Sequence, residues 1–282
     1  MSNQLLTFFM TVILFSVLLG PSFINFLPTS FAQFHKASTN QSSSNSGSMQ
    51  PDLQSEPTLV QKTTSVLGSC ALAHSSKLHA TPQQTEGPYF VDGMPNRSDI
   101  RTDSSDGSLQ QGITLYLLIH VYGMNNGLCF PVGRAKVDIW HANSLGVYSS
   151  VNEMGTTGKN FLRGYQLTDE NGTARFTTIY PGWYPGRAIH IHDKVRIFNG
   201  SETTLEWTSQ LYFNNTMNKQ IHEQPPYSSH GPPPTQNEQD FIYAGPSTDS
   251  LVRNNSGKDL IMNVTKDGPE YLGTFNIFLN LG

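Results

Sequence analysis

The chain has 282 residues, only 13% of them charged, with a formal net charge of −4 and no basic block. That length holds one domain of up to roughly 250 residues, and the charge balance argues against nucleic acid or an acidic surface as a partner. Aromatic residues make up 11% and there are 24 Gly and 17 Pro, which suits a turn-rich β protein better than a helical one.

Residues 1–32 contain no charged side chain. An apolar run from Leu5 to Leu19 is broken at Pro21, and Ser30-Phe31-Ala32 offers small residues to a signal peptidase. The pattern predicts a secretory signal removed after Ala32, and so a secreted, extracellular protein. No Lys or Arg precedes the run, which leaves an uncleaved membrane anchor facing outside as the alternative. Residues 33–66 are Ser, Thr, Gln and Asn with little to bury, and are expected to form a disordered leader. Export also fits the Asn-x-Ser/Thr sequons at Asn40, Asn96, Asn171, Asn199, Asn214, Asn254 and Asn263. Residues 67–282 then form the folded domain. Its two cysteines, Cys70 and Cys129, are expected to pair in an exported chain, the bridge joining the domain's entry to the loop before its next strand. Two free buried thiols are the alternative.

The domain reads as successive short strands at residues 113–122, 134–142, 173–179, 187–198, 205–213, 259–264 and 271–281. The turn Asp169-Glu-Asn-Gly172 announces a hairpin, and a Pro-rich excursion spans 224–234. Nothing keeps helical periodicity beyond about two turns. The expected fold is all-β, a β-sandwich of the prealbumin-like, Greek-key type with long loops and little helix.

One stretch carries chemistry: Tyr180-Pro-Gly-Trp-Tyr184-Pro-Gly-Arg187-Ala-Ile-His190-Ile-His192. Residues two apart on a strand share a face, so His190 and His192 present two imidazoles side by side. The Pro-Gly pairs before them fold Tyr184 back towards that face. A phenol beside two imidazoles is half of a metal cage. The plainer reading is a half-exposed strand whose His and Tyr satisfy local hydrogen bonds. Upstream, Val137-Asp-Ile-Trp140-His-Ala-Asn143-Ser-Leu-Gly146-Val-Tyr148 runs from a strand into a Gly turn that delivers a second phenol.

From Thr81 to its end the chain resembles the intradiol ring-cleavage dioxygenases, the group of protocatechuate 3,4-dioxygenase and catechol 1,2-dioxygenase. The resemblance rests on Thr85-Glu-Gly-Pro-Tyr89, Asp138-Ile-Trp-His to Tyr148, Thr168-Asp to Phe176-Thr-Thr-Ile, Pro-Gly-Trp-Tyr184, Arg187, His190-x-His192 and Gln210-Leu-Tyr-Phe213. It implies Fe(III) held by Tyr148, Tyr184, His190 and His192; phenolates are hard anionic donors that favour Fe(III). An Fe(II) site of two histidines and a carboxylate lacks its acid here, since Asp193 should point to the opposite face. The resemblance further implies that a catechol displaces Tyr184, which takes a substrate proton, while Tyr148 stays in place. O2 then attacks the substrate and a cis,cis-muconate-type diacid results. Arg187 is implied to stabilise charge developing on the ring, and Gln210 to donate a hydrogen bond in the same pocket. Otherwise Arg187 would be a surface residue paired with an acid such as Asp193. Gly87, Pro88 and Tyr89 are implied to line the substrate site.

The chain departs from the family in three places. The turn between Tyr184 and His190 is short, and His141 stands where relatives carry Gln. A supporting or surface place suits His141 better than a ligand's. The helical N-terminal dimerisation segment has no counterpart, so oligomeric state does not carry over. Two other classes remain: a secreted sandwich binding module with a vestigial metal site, and a copper or zinc enzyme using the same histidines.

Overall fold

The computed structural model describes residues 79–126, 128–245 and 257–282. The signal at 1–32, the leader at 33–66, Cys70 and the sequons at Asn40 and Asn254 lie outside the described residues. The remaining five sequon asparagines are all exposed. No helix among the described residues is long and apolar enough to cross a membrane.

The strands are β1 (Thr114–Asn125), β2 (Leu128–Pro131), β3 (Lys136–Trp140), β4 (Arg163–Leu167), β5 (Thr173–Ile179), β6 (His190–Asn199), β7 (Glu202–Tyr212), β8 (Asn263–Asp267) and β9 (Glu270–Asn280). They form two sheets, the sandwich that the sequence predicts. One runs β2-β1-β9-β8 with β5 also paired to β1; the other runs β4-β3-β6-β7. Alternation decides which side chains meet between them. Leu115, Leu117, Ile119 and Val121 of β1 are wholly buried, as are Val137 of β3 and Ile191 and Val195 of β6. Phe176, Trp207, Leu211, Phe275 and Ile277 complete this core. Each such side chain stabilises the fold by roughly 1.5–3 kcal/mol.

Several boundaries differ from the sequence reading. Residues 187–189 are not strand, because the Pro-Gly turn runs on to the start of β6 at His190. The expected strand at 259–264 divides into a 3₁₀ turn, Gly257–Leu260, and β8. Cys129 lies within β2, opposite Met124 of β1, and not in a loop. Strand β4 had no apolar alternation to reveal it: its first residues, Arg163 and Gly164, are buried because of what surrounds them. A two-turn helix, α1 (Asn215–His222), was equally silent, since it buries Asn218 and His222 alongside Ile221. Asn214 caps it, accepting from the Thr216 amide at 2.8 Å.

His222 makes the fold pH-sensitive. It is 2% exposed, its Nδ1 donates to the Asn218 carbonyl at 2.8 Å, and its buried Nε2 has no partner. Burial pushes it down to about 4. The folded state therefore binds fewer protons than the unfolded chain between the ordinary histidine value and 4. Its stabilising contribution is complete above about pH 6.5 and is lost as the pH falls towards 4, amounting to roughly 3 kcal/mol. Thermal melts of His222→Leu should show a shallower loss of stability across that window than the parent. Parallel profiles would refute the assignment.

Candidate metal centre

The site is built on the outer face of the second sheet. Ile191, Asp193 and Val195 of β6 point into the sandwich, which puts His190, His192, Lys194 and Arg196 on the other side. Cross-strand partners on that face are Trp140 of β3 opposite His192, Gln210 of β7 opposite His192, and Tyr212 of β7 opposite His190. The Trp140 indole stacks on His192 with ring centroids 4.9 Å apart and planes 6° from parallel. It fixes that imidazole's plane.

Two turns bring phenols over this face. After β3, Asn143 Oδ1 accepts from the amides of Leu145 and Val147 at 3.0 Å each. Gly146 adopts a φ of +79°, and a Cβ there would collide with the Trp183 carbonyl oxygen. The Asn143 turn is thereby locked against the Pro181-Gly-Trp-Tyr184 turn. Tyr148 leaves the first turn wholly buried, and Tyr184 leaves the second partly exposed; their ring centroids are 5.6 Å apart.

Four donor atoms converge. His190 Nδ1 donates to the Ala188 carbonyl at 2.6 Å, so its Nε2 carries a lone pair. That Nε2 lies 3.0 Å from His192 Nε2 and 3.3 Å from the Tyr184 hydroxyl. Burial holds both imidazoles well below the usual histidine value, His192 further depressed by His190 and His190 by Arg187. Both are therefore neutral, the form that binds metals. The Tyr148 hydroxyl is buried with no hydrogen-bond partner. Burial, then the Tyr184 phenol beside it, pushes Tyr148 well above the ordinary phenol value. His192 Nδ1 has no partner among the described residues, so nothing fixes its Nε2 as a donor towards His190, and the phenol beside them gains little from either ring. All of them are satisfied by a cation placed between them. Among the described residues, no group of three or more His, Cys, Asp or Glu could hold a metal. The donor set of two phenols and two imidazoles therefore fits a hard trivalent ion such as Fe(III) better than an Fe(II) triad.

Asp193 points away from this cage, as its place on the strand predicts. It is wholly buried with both carboxylate oxygens unpartnered among the described residues, and desolvation pushes it well above the usual carboxylate value. It does not pair with Arg187. That partner is Asp240, which sequence reasoning missed: Arg187 Nε donates to Asp240 Oδ2 at 2.9 Å. The same carboxylate accepts from the Ala188 amide at 2.8 Å and caps the short helix α2 (Phe241–Ala244) through Ile242 N at 2.8 Å. No spacing in the sequence ties Asp240 to Arg187, 53 positions away. Arg187 also donates to the Tyr184 hydroxyl at 3.3 Å and to Gln210 Oε1. Because residues 187–189 are turn, the Arg187 side chain reaches the donor face although it stands three residues before His190.

Gln210 lies in the site and also holds Arg187, a role the sequence did not suggest. Its carbonyl oxygen accepts from Arg187 and from Tyr212 at 3.1 Å, and its amide donates to the Thr85 carbonyl at 2.9 Å. It ties Arg187 to the covering segment. That segment, residues 85–92, crosses the outer face as a strap pinned by Glu86–Lys194 at 2.5 Å and Asp92–Arg196 at 2.8 Å. Between the pins Gly87, with φ +73°, passes so close that a Cβ would lie 3.2 Å from His192 Cε1. Tyr89 packs on Tyr148 with centroids 4.8 Å apart. Pro88 and Tyr89 also line a cavity of about 490 Å³ with Phe90, Val91, Ser150, Val151, Asn152 and Glu153. His141 is neither ligand nor surface residue. It is buried, its Nδ1 donating to the Ala142 carbonyl (2.8 Å) and its Nε2 accepting from Thr178 Oγ1 (2.6 Å), and burial pushes it down to about 4.

Comparison with known proteins bears on this arrangement. A family model described as Dioxygenase matches residues 85–223, which take in the strap, both turns, β6 and β7. The catechol 1,2-dioxygenase of Acinetobacter baylyi is 39% identical over 107 residues, 38% of this chain and 33% of that protein, so the match spans about a third of the relative's length. A solved intradiol ring-cleavage dioxygenase from Tetranychus urticae is 30% identical and superposes with a TM-score of 0.61, covering 72% of this chain and 95% of that one. The dioxygenase domain of a dioxygenase carbohydrate-binding protein fusion from Streptomyces sp. SirexAA-E is 31% identical, with a TM-score of 0.50 over 72% of this chain and all of that one. With its motifs in order along the matched segment and its sandwich spanning nearly the whole Tetranychus structure, the chain belongs to the intradiol ring-cleavage dioxygenase family.

Proposed function

We propose that this protein uses Fe(III), held by Tyr148, Tyr184, His190 and His192, to cleave a catechol-type ring between its two hydroxylated carbons. Both atoms of O2 enter the cis,cis-muconate-type product, so the reaction needs no external reductant. The observation that carries the reading is the Tyr184 oxygen and two imidazole Nε2 atoms drawn together, with the buried Tyr148 ring 5.6 Å from Tyr184 and 6.2 Å from His192 by centroid. When bound, ferric iron supplies the charge that ionises phenols and draws electron density from a coordinated aromatic ring.

The chain's own residues do the rest. Tyr184 is the less buried phenol and sits on a turn, which suits it to yield its place and take a substrate proton. Arg187 presents a fixed guanidinium where negative charge builds on the ring, oriented by Asp240 and Gln210. Trp140, Tyr89 and the strap exclude water. If the ring's far side extends over Tyr89 into the adjoining cavity, whose one charged lining residue among those described is Glu153, an uncharged catechol is favoured over a carboxylated one. Oxygen uptake by the iron-loaded protein, measured across a panel of catechols, tests this. One O2 consumed per ring, a muconate-type product spectrum and catechol ahead of 3,4-dihydroxybenzoate are expected. No uptake with any member of the panel would sink the proposal.

We also propose that the protein is exported with its first 32 residues removed, and that Cys129 pairs with Cys70. On the chain-entropy account a bridge closing about 60 residues stabilises the domain by roughly 4 kcal/mol. Secreted protein should begin at Gln33, and Cys70→Ser should lower its melting temperature clearly without changing its iron spectrum. Mass spectrometry showing Met1 retained, or both thiols free, would overturn the respective half.

A further inference from the structure

Arg163 is a wholly buried guanidinium, 1% exposed, at the start of β4. Its three hydrogen bonds go to neutral oxygens on two separate segments. Nε donates to Ser149 Oγ at 2.8 Å and one terminal nitrogen to the Ser149 carbonyl at 2.7 Å. The other donates to the Tyr89 carbonyl at 2.6 Å. Its Cζ lies 5.8 Å from the centroid of the Tyr148 ring. Among the described residues no carboxylate pairs with it, and the group favouring its charge is the Tyr148 phenol. A buried Arg without an acid is costly, because its charge is desolvated with no opposite charge in return.

We propose that Arg163 is a positioning residue of the metal centre: it clamps the turn that carries Tyr148 to the strap that carries Tyr89, and so makes Tyr148 the ligand that cannot swing away. The inference rests on the reading of Tyr148 as an iron ligand.

Three features of the surroundings support it. Ser150 and Leu162, one just after the clamped Ser149 and one just before Arg163, hold left-handed backbones with φ of +57° and +54°. Such conformations cost non-Gly residues about 1–3 kcal/mol each and persist where neighbouring contacts over-determine them. Arg163 is also the cross-strand partner of Trp140, whose ring stacks on His192, so one register position serves two of the four donors. Tyr184 is held differently: Arg187 donates to its hydroxyl at 3.3 Å, but among the described residues no buried guanidinium ties its backbone to the strap. It is followed by Pro185 and Gly186, the latter at φ +82° with open space where a Cβ would stand, nothing lying within 4 Å of it. The two phenols are thus held with unequal firmness by residues that differ in sequence and place.

The test uses Arg163→Lys and Arg163→Met in the full chain, titrated with Fe(III) alone. Lysine keeps the charge and loses the planar fork that spans three acceptors. Both variants should retain the parent's far-UV circular dichroism, bind Fe(III) at least about 10-fold more weakly in chelator competition, and shift the tyrosinate-to-iron band. The effect should be specific to Tyr148. With Fe(III) raised until each weakened site is loaded, Arg163→Lys should shift the band fully in a Tyr184→Phe background, where Tyr148 is the remaining phenolate, and leave the weaker band of a Tyr148→Phe background where it was. If Arg163→Met does not fold, Arg163→Lys and Ser149→Ala, which deletes one acceptor, carry the comparison. A coloured parent whose Arg163→Lys variant matches it in affinity and band overturns the clamp, as do equal shifts in the two backgrounds. A parent that takes up no ferric ion overturns the Tyr148 reading itself.

Discussion

Tyr148→Phe should leave the metal-free protein as stable as the parent while abolishing tight ferric iron binding. The two halves of that result come from one fact: the Tyr148 hydroxyl is buried with no hydrogen-bond partner. An orphaned polar group costs about 1–3 kcal/mol of desolvation. Deleting it from the metal-free fold therefore removes a penalty and leaves no new cavity beyond one oxygen. The melting temperature without metal should hold or rise. With Fe(III) the sign reverses, because a neutral ring cannot replace an anionic donor. Loss of outer hydrogen-bond partners typically costs metal sites about 10–100-fold in affinity, and loss of a ligand should exceed that. The visible tyrosinate band should weaken in step. A Tyr148→Phe protein that melts several degrees lower without metal, yet binds iron and colours like the parent, would show Tyr148 to be a packing residue.

Arg187→Leu should lower catechol turnover by about 10²–10³, the usual cost of removing preorganised charge stabilisation from a water-poor site. The structure adds a complication that sequence alone did not suggest. Asp240 is fully buried and loses its cation in this variant, which costs roughly 3–5 kcal/mol of stability. Arg187→Leu paired with Asp240→Asn separates the two effects. The double variant should regain much of the lost melting temperature, since the unpaired charge is gone, and regain none of the turnover. Arg187→Lys should recover little, because one ammonium cannot serve Asp240, Gln210 and the Tyr184 hydroxyl with the geometry of a planar fork. Gln210→Ala should show a milder loss, as it only orients Arg187. Turnover within about threefold of the parent in the double variant would remove Arg187 from the chemistry and leave it a structural partner of Asp240.

The sandwich, its main strands and the shared face of His190 and His192 are legible in the residues themselves. Period-two alternation from Leu115 to Val121 and from Ile191 to Val195 says which face is core. The same arithmetic puts His190 and His192 together and sends Asp193 the other way. Those signals are local: they need only the pleat of one strand and the turn chemistry of Gly and Pro. Tertiary structure alone decided what surrounds the donors. Asp240 reaches Arg187 from beyond the Pro-rich excursion, Arg163 joins the Tyr148 turn to the strap, and Gln210 ties its amide to Thr85. Each is a polar residue whose burial is stabilised by partners 53 to 125 positions away. A buried polar side chain leaves no periodicity in the sequence, because what permits its burial is a hydrogen bond supplied by another part of the chain, and not its own distaste for water.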